Sequence, residues 1–168
     1  MGVDVTTRLA KVVLYSFQQT NELIDRMNNR EGRAAELPAG NGVADAASLA
    51  KMYAALIGEV DGVRLLRPET TQNARTLRTG AMAPAGDLGK LQFGGPLQYG
   101  LGYELPREAT PMLGQGSFGH AGAGGRIGFA HPESGTAAAY VANTMLSVPV
   151  GPDPRWTWMG ELRKAVAA

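Results

Sequence analysis

The sequence predicts an α+β fold, an antiparallel sheet flanked by helices, and three observations carry that reading. Apolar residues recur at helical spacing through residues 1–78. After a glycine-rich loop over 79–97, alternation and apolar runs broken by glycine fill 98–146. One further amphipathic stretch, 153–167, closes the chain. At 168 residues this is the length of one ordinary domain.

Leu9, Val12, Val13 and Phe17 share one helical face, so Val5 to Phe17 is predicted as a helix capped by Thr6 or Thr7. A short second helix would hold Leu23, Ile24 and Met27 and end in the run from Asn28 to Gly32, before a loop from Leu37 to Gly42. Asp45 then has the position and chemistry of an N-cap. The helix it opens carries Leu49, Met52, Tyr53 and Leu56 on its apolar face and is closed by Gly58 and the turn Asp61-Gly62. Pro68-Glu69 sets a helix-opening proline ahead of a first-turn acid, predicting a short helix through Leu77.

From Gly80 to Gly95 six residues are glycine or proline and periodicity is lost, which predicts a long surface loop. In Gln98 to Leu105 the residues Tyr99, Leu101, Tyr103 and Leu105 alternate with Gly100 and Gly102, predicting a strand whose bare glycine face invites close packing. Phe118–Ala130 and Thr136–Met145 are predicted as two further strands joined at the turn His131–Gly135. The second of these, with Ala137, Ala138, Ala139 and Val141, lacks polar alternation and is expected to be buried on both faces. Asp153 and Pro154 open the last helix, whose stripe is Met159, Leu162 and Val166.

Composition excludes several classes of function. Sixteen basic residues against fifteen acidic ones leave no basic cluster to track a phosphate backbone, so nucleic acid is not an expected partner. The absence of cysteine removes disulfides and thiolate metal sites, and fits a reducing, cytoplasmic setting without requiring one. No apolar run approaches the roughly 20 residues that span a bilayer. Asp4 and Arg8 break up the amino-terminal segment, so no signal peptide is expected there. His120 and His131, the only histidines, belong to no metal-ligand cluster, and no cofactor is expected. Gly114–Gly119 satisfies G-x-G-x-x-G, but no apolar strand precedes it and no helix follows, so it is not a dinucleotide site.

The most unusual segment is Gly119-His120-Ala121-Gly122-Ala123-Gly124-Gly125. Glycine in a strand marks either a bend serving sheet curvature or a close approach by a ligand or another chain. His120-Ala121-Gly122, the kink Gly124-Gly125, Phe129-Ala130-His131-Pro132-Glu133 and Tyr140-Val141-Ala142-Asn143 together resemble the carboxy-terminal part of class C β-lactamases, related esterases and penicillin-binding proteins. Ala39–Val43, Leu65–Thr70 and Tyr99–Tyr103 are similar to segments of that family in the same order. The strength of the resemblance lies in that order, since each short motif alone matches by chance.

The resemblance implies the later part of a β-lactamase or transpeptidase fold, hence one partial domain, and acyl transfer to a serine. It implies that Ala123 lends its backbone N–H to an oxyanion hole, and that His120, Ala121, Gly122 and Asn143 face the substrate. His120 and Ala121 stand where the β-lactam-recognising version has lysine and threonine, which favours a carboxylic ester over a β-lactam or peptide amide. Two family motifs find no match in their expected place. Tyr15-Ser16-Phe17 has phenylalanine where Tyr-x-Asn needs asparagine. Ser48-Leu49-Ala50-Lys51 satisfies Ser-x-x-Lys but falls in the Asp45 helix, pointing away from its apolar face. The resemblance thus implies a chain inactive alone, either part of a serine hydrolase or a non-catalytic homologue that self-associates or pairs with a separate segment.

Overall fold

A computed structural model describes residues 25, 28–38, 40, 42–80, 82, 97–122, 124–144 and 157–167. The helix expected at Val5–Phe17, the apolar residues of the second helix, most of the Gly80–Gly95 loop, Ala123 and the Asp153-Pro154 cap lie outside the described residues. The chain divides into two units, Met1–Ala44 with Pro84–Leu91, and Asp45–Ala83 with Gln92–Ala168.

In the first unit the described residues form a short helix, α1 (Arg30–Ala34). The run from Asn28 to Gly32 thus begins a helix where the sequence predicted an end. Asn29 is the reason: its side chain accepts a 2.8 Å hydrogen bond from the Gly32 amide, a cap that outweighs the turn character of its neighbours.

The second unit opens with α2 (Ala46–Ile57), capped by Asp45, whose carboxylate accepts from the Ser48 amide at 2.6 Å. Gly58 ends it, and Asp61 and Gly62, both at positive φ, reverse the chain. Its buried face is Tyr53, Ala55 and Leu56 with Leu49 beside them, while Met52, expected in the core, is exposed. Next comes α3 (Pro68–Ala74), opened by Pro68 as predicted but ending three residues before Leu77. Thr71 ties it to α2 through a buried 2.8 Å bond from its hydroxyl to the Leu56 carbonyl.

The predicted strand Gln98–Leu105 is instead a tight hairpin. Gly102, at φ 80°, turns the chain so that Leu105 donates to Gln98 at 2.8 Å and Gly100 to Tyr103 at 2.9 Å. The alternation therefore breaks: Leu101 sits exposed at the tip and Glu104, not a glycine, is buried. The expectation of close packing on bare backbone does hold at Gly100, where a Cβ would lie 2.0 Å from the Ala74 carbonyl oxygen.

Among the described residues the sheet has three strands, β1 (Phe118–Gly122), β2 (Arg126–His131) and β3 (Thr136–Tyr140), antiparallel in the order β1-β2-β3. The single strand predicted over Phe118–Ala130 is thus a hairpin of two, because Gly124 and Gly125 adopt φ of 82° and 89° and fold it back. This also moves the buried centre. β2, flanked on both edges, is the buried strand, whereas β3, predicted to be buried on both faces, is half-buried throughout and pairs among the described residues with β2 alone.

Alternation along these strands builds two cores. On one face Phe118 and Ala130 pack with Tyr53, Leu56 and Leu105. On the other, Ile127 and Phe129 pack with Met112, Leu113 and Met159 of α4 (Trp158–Ala167), with Leu162 and Val166 alongside as its stripe predicts. Trp158 stacks near Phe129 and Tyr140, with centroids at 6.2 and 6.4 Å. Phe118 and Phe129 are fully buried, each stabilising the fold by about 1.5–3 kcal/mol.

Candidate active site

β1 brings His120, Ala121 and Gly122 to one end of the sheet. Gly119 exchanges both backbone hydrogen bonds with Glu104 on the outer edge, at 2.7 and 3.0 Å, so by the two-residue period the amide of Ala121 faces that edge too. There it donates to the Glu104 carboxylate at 3.2 Å. Glu104, only 3% exposed, also accepts from Arg107 Nε at 3.0 Å and from the Thr110 hydroxyl at 3.3 Å.

His120 shares its face with Phe118 but is exposed, opposite Gly128 and beside the ring of Tyr99 at 6.2 Å. Burial raises the Tyr99 hydroxyl above its ordinary value, with the Glu104 charge adding to the effect and Arg107 opposing it. Gly122 is exposed opposite Arg126. Among the described residues a Cβ placed there would meet only Arg126 atoms, at 3.7 and 3.8 Å, which is ordinary contact. Packing against the described residues therefore does not demand a glycine at this position, unlike Gly128, where a Cβ would sit 2.5 Å from the Tyr53 ring.

Asn143 follows β3 and is exposed. Because Gly122 pairs with Arg126 and Ile127 with Tyr140, the end of β1 and the end of β3 lie at the same end of the sheet. Arg126 reinforces this by donating to the Ala142 carbonyl at 3.1 Å. Of the sequence-predicted residues, the described structure thus places His120, Ala121, Gly122 and Asn143 at one end of the sheet. Ala123 lies outside the described residues.

Ser48 and Lys51 are both exposed on α2, and Lys51 pairs with Asp61. Gly114–Gly119 leads through turns at Gly114 and Gly116 into β1, a strand. Sequence reasoning missed Glu104; its signal was a carboxylate between Tyr103 and Leu105 with an arginine three residues on.

A separate cavity of about 410 Å³ is lined by Gln72, Arg75, Gln98, Gln115, Ser117 and Glu133 among others. Arg75 there bonds Glu133 at 2.5 Å and the Gly116 carbonyl at 2.9 Å. Burial works to raise the Glu133 carboxyl, but the Arg75 hydrogen bond and charge outweigh it and hold it below the usual range. Among the described residues no group of three histidine or acidic side chains could hold a metal ion, and no helix is long and apolar enough to cross a membrane.

Comparison with known proteins agrees with this architecture. Over 115 residues the chain is 41% identical to the "Esterase/beta-lactamase LipL" of Mycobacterium tuberculosis (strain ATCC 25618 / H37Rv), covering 67% of this chain and 25% of that protein. The solved structure of a family VIII carboxylesterase superposes with a TM-score of 0.63 at 27% identity, over 83% of this chain and 36% of that one. EstA from Arthrobacter nitroguajacolicus Rue61a shares the fold at a TM-score of 0.69 and 24% identity, over 99% of this chain and 43% of that one. The chain thus spans a quarter of its curated relative and less than half of each solved structure. The family model described as "Beta-lactamase" matches residues 5–158, nearly the whole sequence, and the chain belongs to that family.

Proposed function

We propose that this chain supplies one wall of an acyl-serine hydrolase site acting on carboxylic esters. The observation that carries the reading is Gly122: an exposed strand end whose missing side chain the described residues around it do not require, beside an exposed histidine. Bare backbone at such a place leaves room for a substrate.

In the reaction a serine oxygen bonds to the ester carbonyl carbon as a base takes its proton, the carbonyl electrons move onto oxygen and return as the alcohol leaves with that proton, and water then releases the acid from the serine. The backbone N–H of Ala123 donates to that oxygen, a role in which losing one donor raises the barrier by roughly 3–4 kcal/mol. His120 and Ala121 flank the acyl group, and Asn143 contacts it from the end of β3. Histidine and alanine in place of a lysine and threonine favour an ester over a β-lactam. The nucleophile is not Ser48, because that hydroxyl faces solvent on α2 and Lys51 is engaged with Asp61. With Ser-x-x-Lys and Tyr-x-Asn both unmatched in their expected places, this reading makes the chain inactive alone.

The half-buried β3, paired along one edge among the described residues, favours a second reading: a non-catalytic homologue that completes its sheet with another chain.

Titration of the isotopically labelled chain with phenyl butyrate tests the site. Amide shifts are expected at His120, Ala121, Gly122 and Asn143, and shifts confined to the cavity at Ser117 and Glu133 would place the ligand elsewhere. The same chain should hydrolyse neither p-nitrophenyl butyrate nor nitrocefin, and a fluorophosphonate probe should leave Ser48 unlabelled. Stoichiometric labelling of Ser48 would overturn the assignment.

A further inference from the structure

An edge strand presents unpaired amides, and whatever satisfies them decides where another segment or a substrate can lie along it. On β1 the backbone of Glu104 satisfies Gly119 in an antiparallel bridge, so the residue in register with Ala121 is Gly102, where the hairpin turns. The next outward amide, Ala121, has no backbone partner among the described residues and donates to the Glu104 carboxylate instead. One residue thus pairs β1 twice, first through its main chain and then through its side chain, at two successive outward positions.

The carboxylate is held rigidly for that task. It is 3% exposed, one oxygen is fixed by Arg107 and Thr110, and the other is directed to Ala121. A buried carboxylate needs such hydrogen-bond partners to replace the water it has lost. Had the backbone before Glu104 stayed extended through Gly102 and not turned, it would have offered Ala121 a carbonyl and covered the edge beyond it. The side chain ends the pairing at Ala121 and leaves Gly122 exposed.

We propose that Glu104 is a positioning residue that takes over strand pairing on β1 where the hairpin turns away, using its carboxylate to fix the Ala121 backbone beside the exposed Gly122. The proposal rests on the reading of β1 as a site wall, but its first test requires no ligand.

Amide exchange measured by NMR on the 168-residue chain separates the possibilities. Glu104→Asp keeps the charge but draws the carboxylate back by one bond, about 1.5 Å, out of hydrogen-bond range of Ala121. Glu104→Gln keeps the reach and, with its NH2 donating to the turned Thr110 hydroxyl at the cost of the Arg107 bond, still presents its oxygen to Ala121. Exchange at Ala121 should accelerate about tenfold or more in Glu104→Asp, while Glu104→Gln stays within about threefold of the parent and the β2–β3 ladder amides are unchanged in both. The Ala121 amide proton should also move upfield in Glu104→Asp alone. Phenyl butyrate shifts at Gly122 should weaken in Glu104→Asp and be rescued in Glu104→Gln. Equal Ala121 exchange in the parent and Glu104→Asp would overturn the proposal. So would the reverse order, with Gln accelerating exchange and Asp not, since charge rather than reach would then be what matters. If exchange behaves as expected but the ester shifts no residue of β1, the positioning stands and the hydrolase reading falls.

Discussion

Gly128 is the point where α2 rests on the sheet, and adding one methyl group there tests the packing that carries the candidate site. A Cβ on Gly128 would lie 2.5 and 3.0 Å from the Tyr53 ring carbons Cε2 and Cδ2 and 3.1 Å from Leu49 Cδ2. Carbon atoms pack at about 3.5–4.0 Å, so the ring must retreat by roughly 1 Å. It has little room: Tyr53 is 5% exposed and wedged among Leu56, Leu105, Phe118 and Ala130. Overpacking of this kind costs about 1–3 kcal/mol, or about 2–12 °C in melting temperature for a chain of this length. Urea unfolding of Gly128→Ala, Tyr53→Leu and the double variant measures it. Because leucine lacks the ring, the methyl should cost little in the Tyr53→Leu background, giving a coupling of about 1 kcal/mol or more. Tyr53→Phe keeps the ring and should give no relief. Additive losses in the Tyr53→Leu cycle, or full relief by Tyr53→Phe, would refute the assignment of Gly128 as the seat of that ring.

Three further outcomes are expected. Burial, with the neighbouring Tyr103 adding to it, pushes the Tyr53 hydroxyl from 10.0 up to about 12. The folded-state value lies above the unfolded one, so this stabilisation is complete below pH 10 and lost as pH rises toward 12; Tyr53→Phe should remove about 2–3 kcal/mol of alkaline destabilisation in chemical unfolding curves. Glu133 is shifted the other way, so its pairing with Arg75 stabilises above the ordinary glutamate range and fades as pH falls through its depressed value. With Glu133 half exposed, Glu133→Gln should cost about 0.5 kcal/mol at pH 7, a difference in melting temperature that vanishes at the acid end. The Asp45 carboxylate is held below its ordinary value mainly by the Ser48 amide it caps. Asp45→Asn, which can still accept that bond, should retain the melting temperature of the parent at neutral pH and lose its decline in acid, whereas Asp45→Ala should lower it at neutral pH.

Elements governed by local chemistry were legible in the sequence. Asp45 caps α2, Gly58 closes it, Pro68 opens α3, and Met159, Leu162 and Val166 seat α4, because caps, prolines and helical stripes act within a few residues of themselves. Glycine was harder to read, since the same residue type serves turning and close approach. Gly102 and the pair Gly124-Gly125 turn the chain, and each converted a predicted strand into a hairpin. Gly100 and Gly128 instead admit a carbonyl and an aromatic ring, and only the tertiary neighbour distinguishes them.

The same ambiguity decides how the candidate site is recognised. Four glycines lie between Gly119 and Gly125, yet they do different work. Gly119 has no space for a side chain, its Cβ falling 2.2 Å from the Gly128 carbonyl oxygen, so folding alone explains it. Gly124 and Gly125 are explained by their backbone angles. Gly122 is left without a reason among the described residues, where a methyl group would make only ordinary contacts. Gly122→Ala should therefore leave unfolding by urea within about 1 kcal/mol of the parent, the general cost or gain of a tolerated glycine replacement, while reducing phenyl butyrate shifts at His120 and Ala121. A large loss of stability would return Gly122 to the structural glycines and withdraw the observation on which the substrate wall rests.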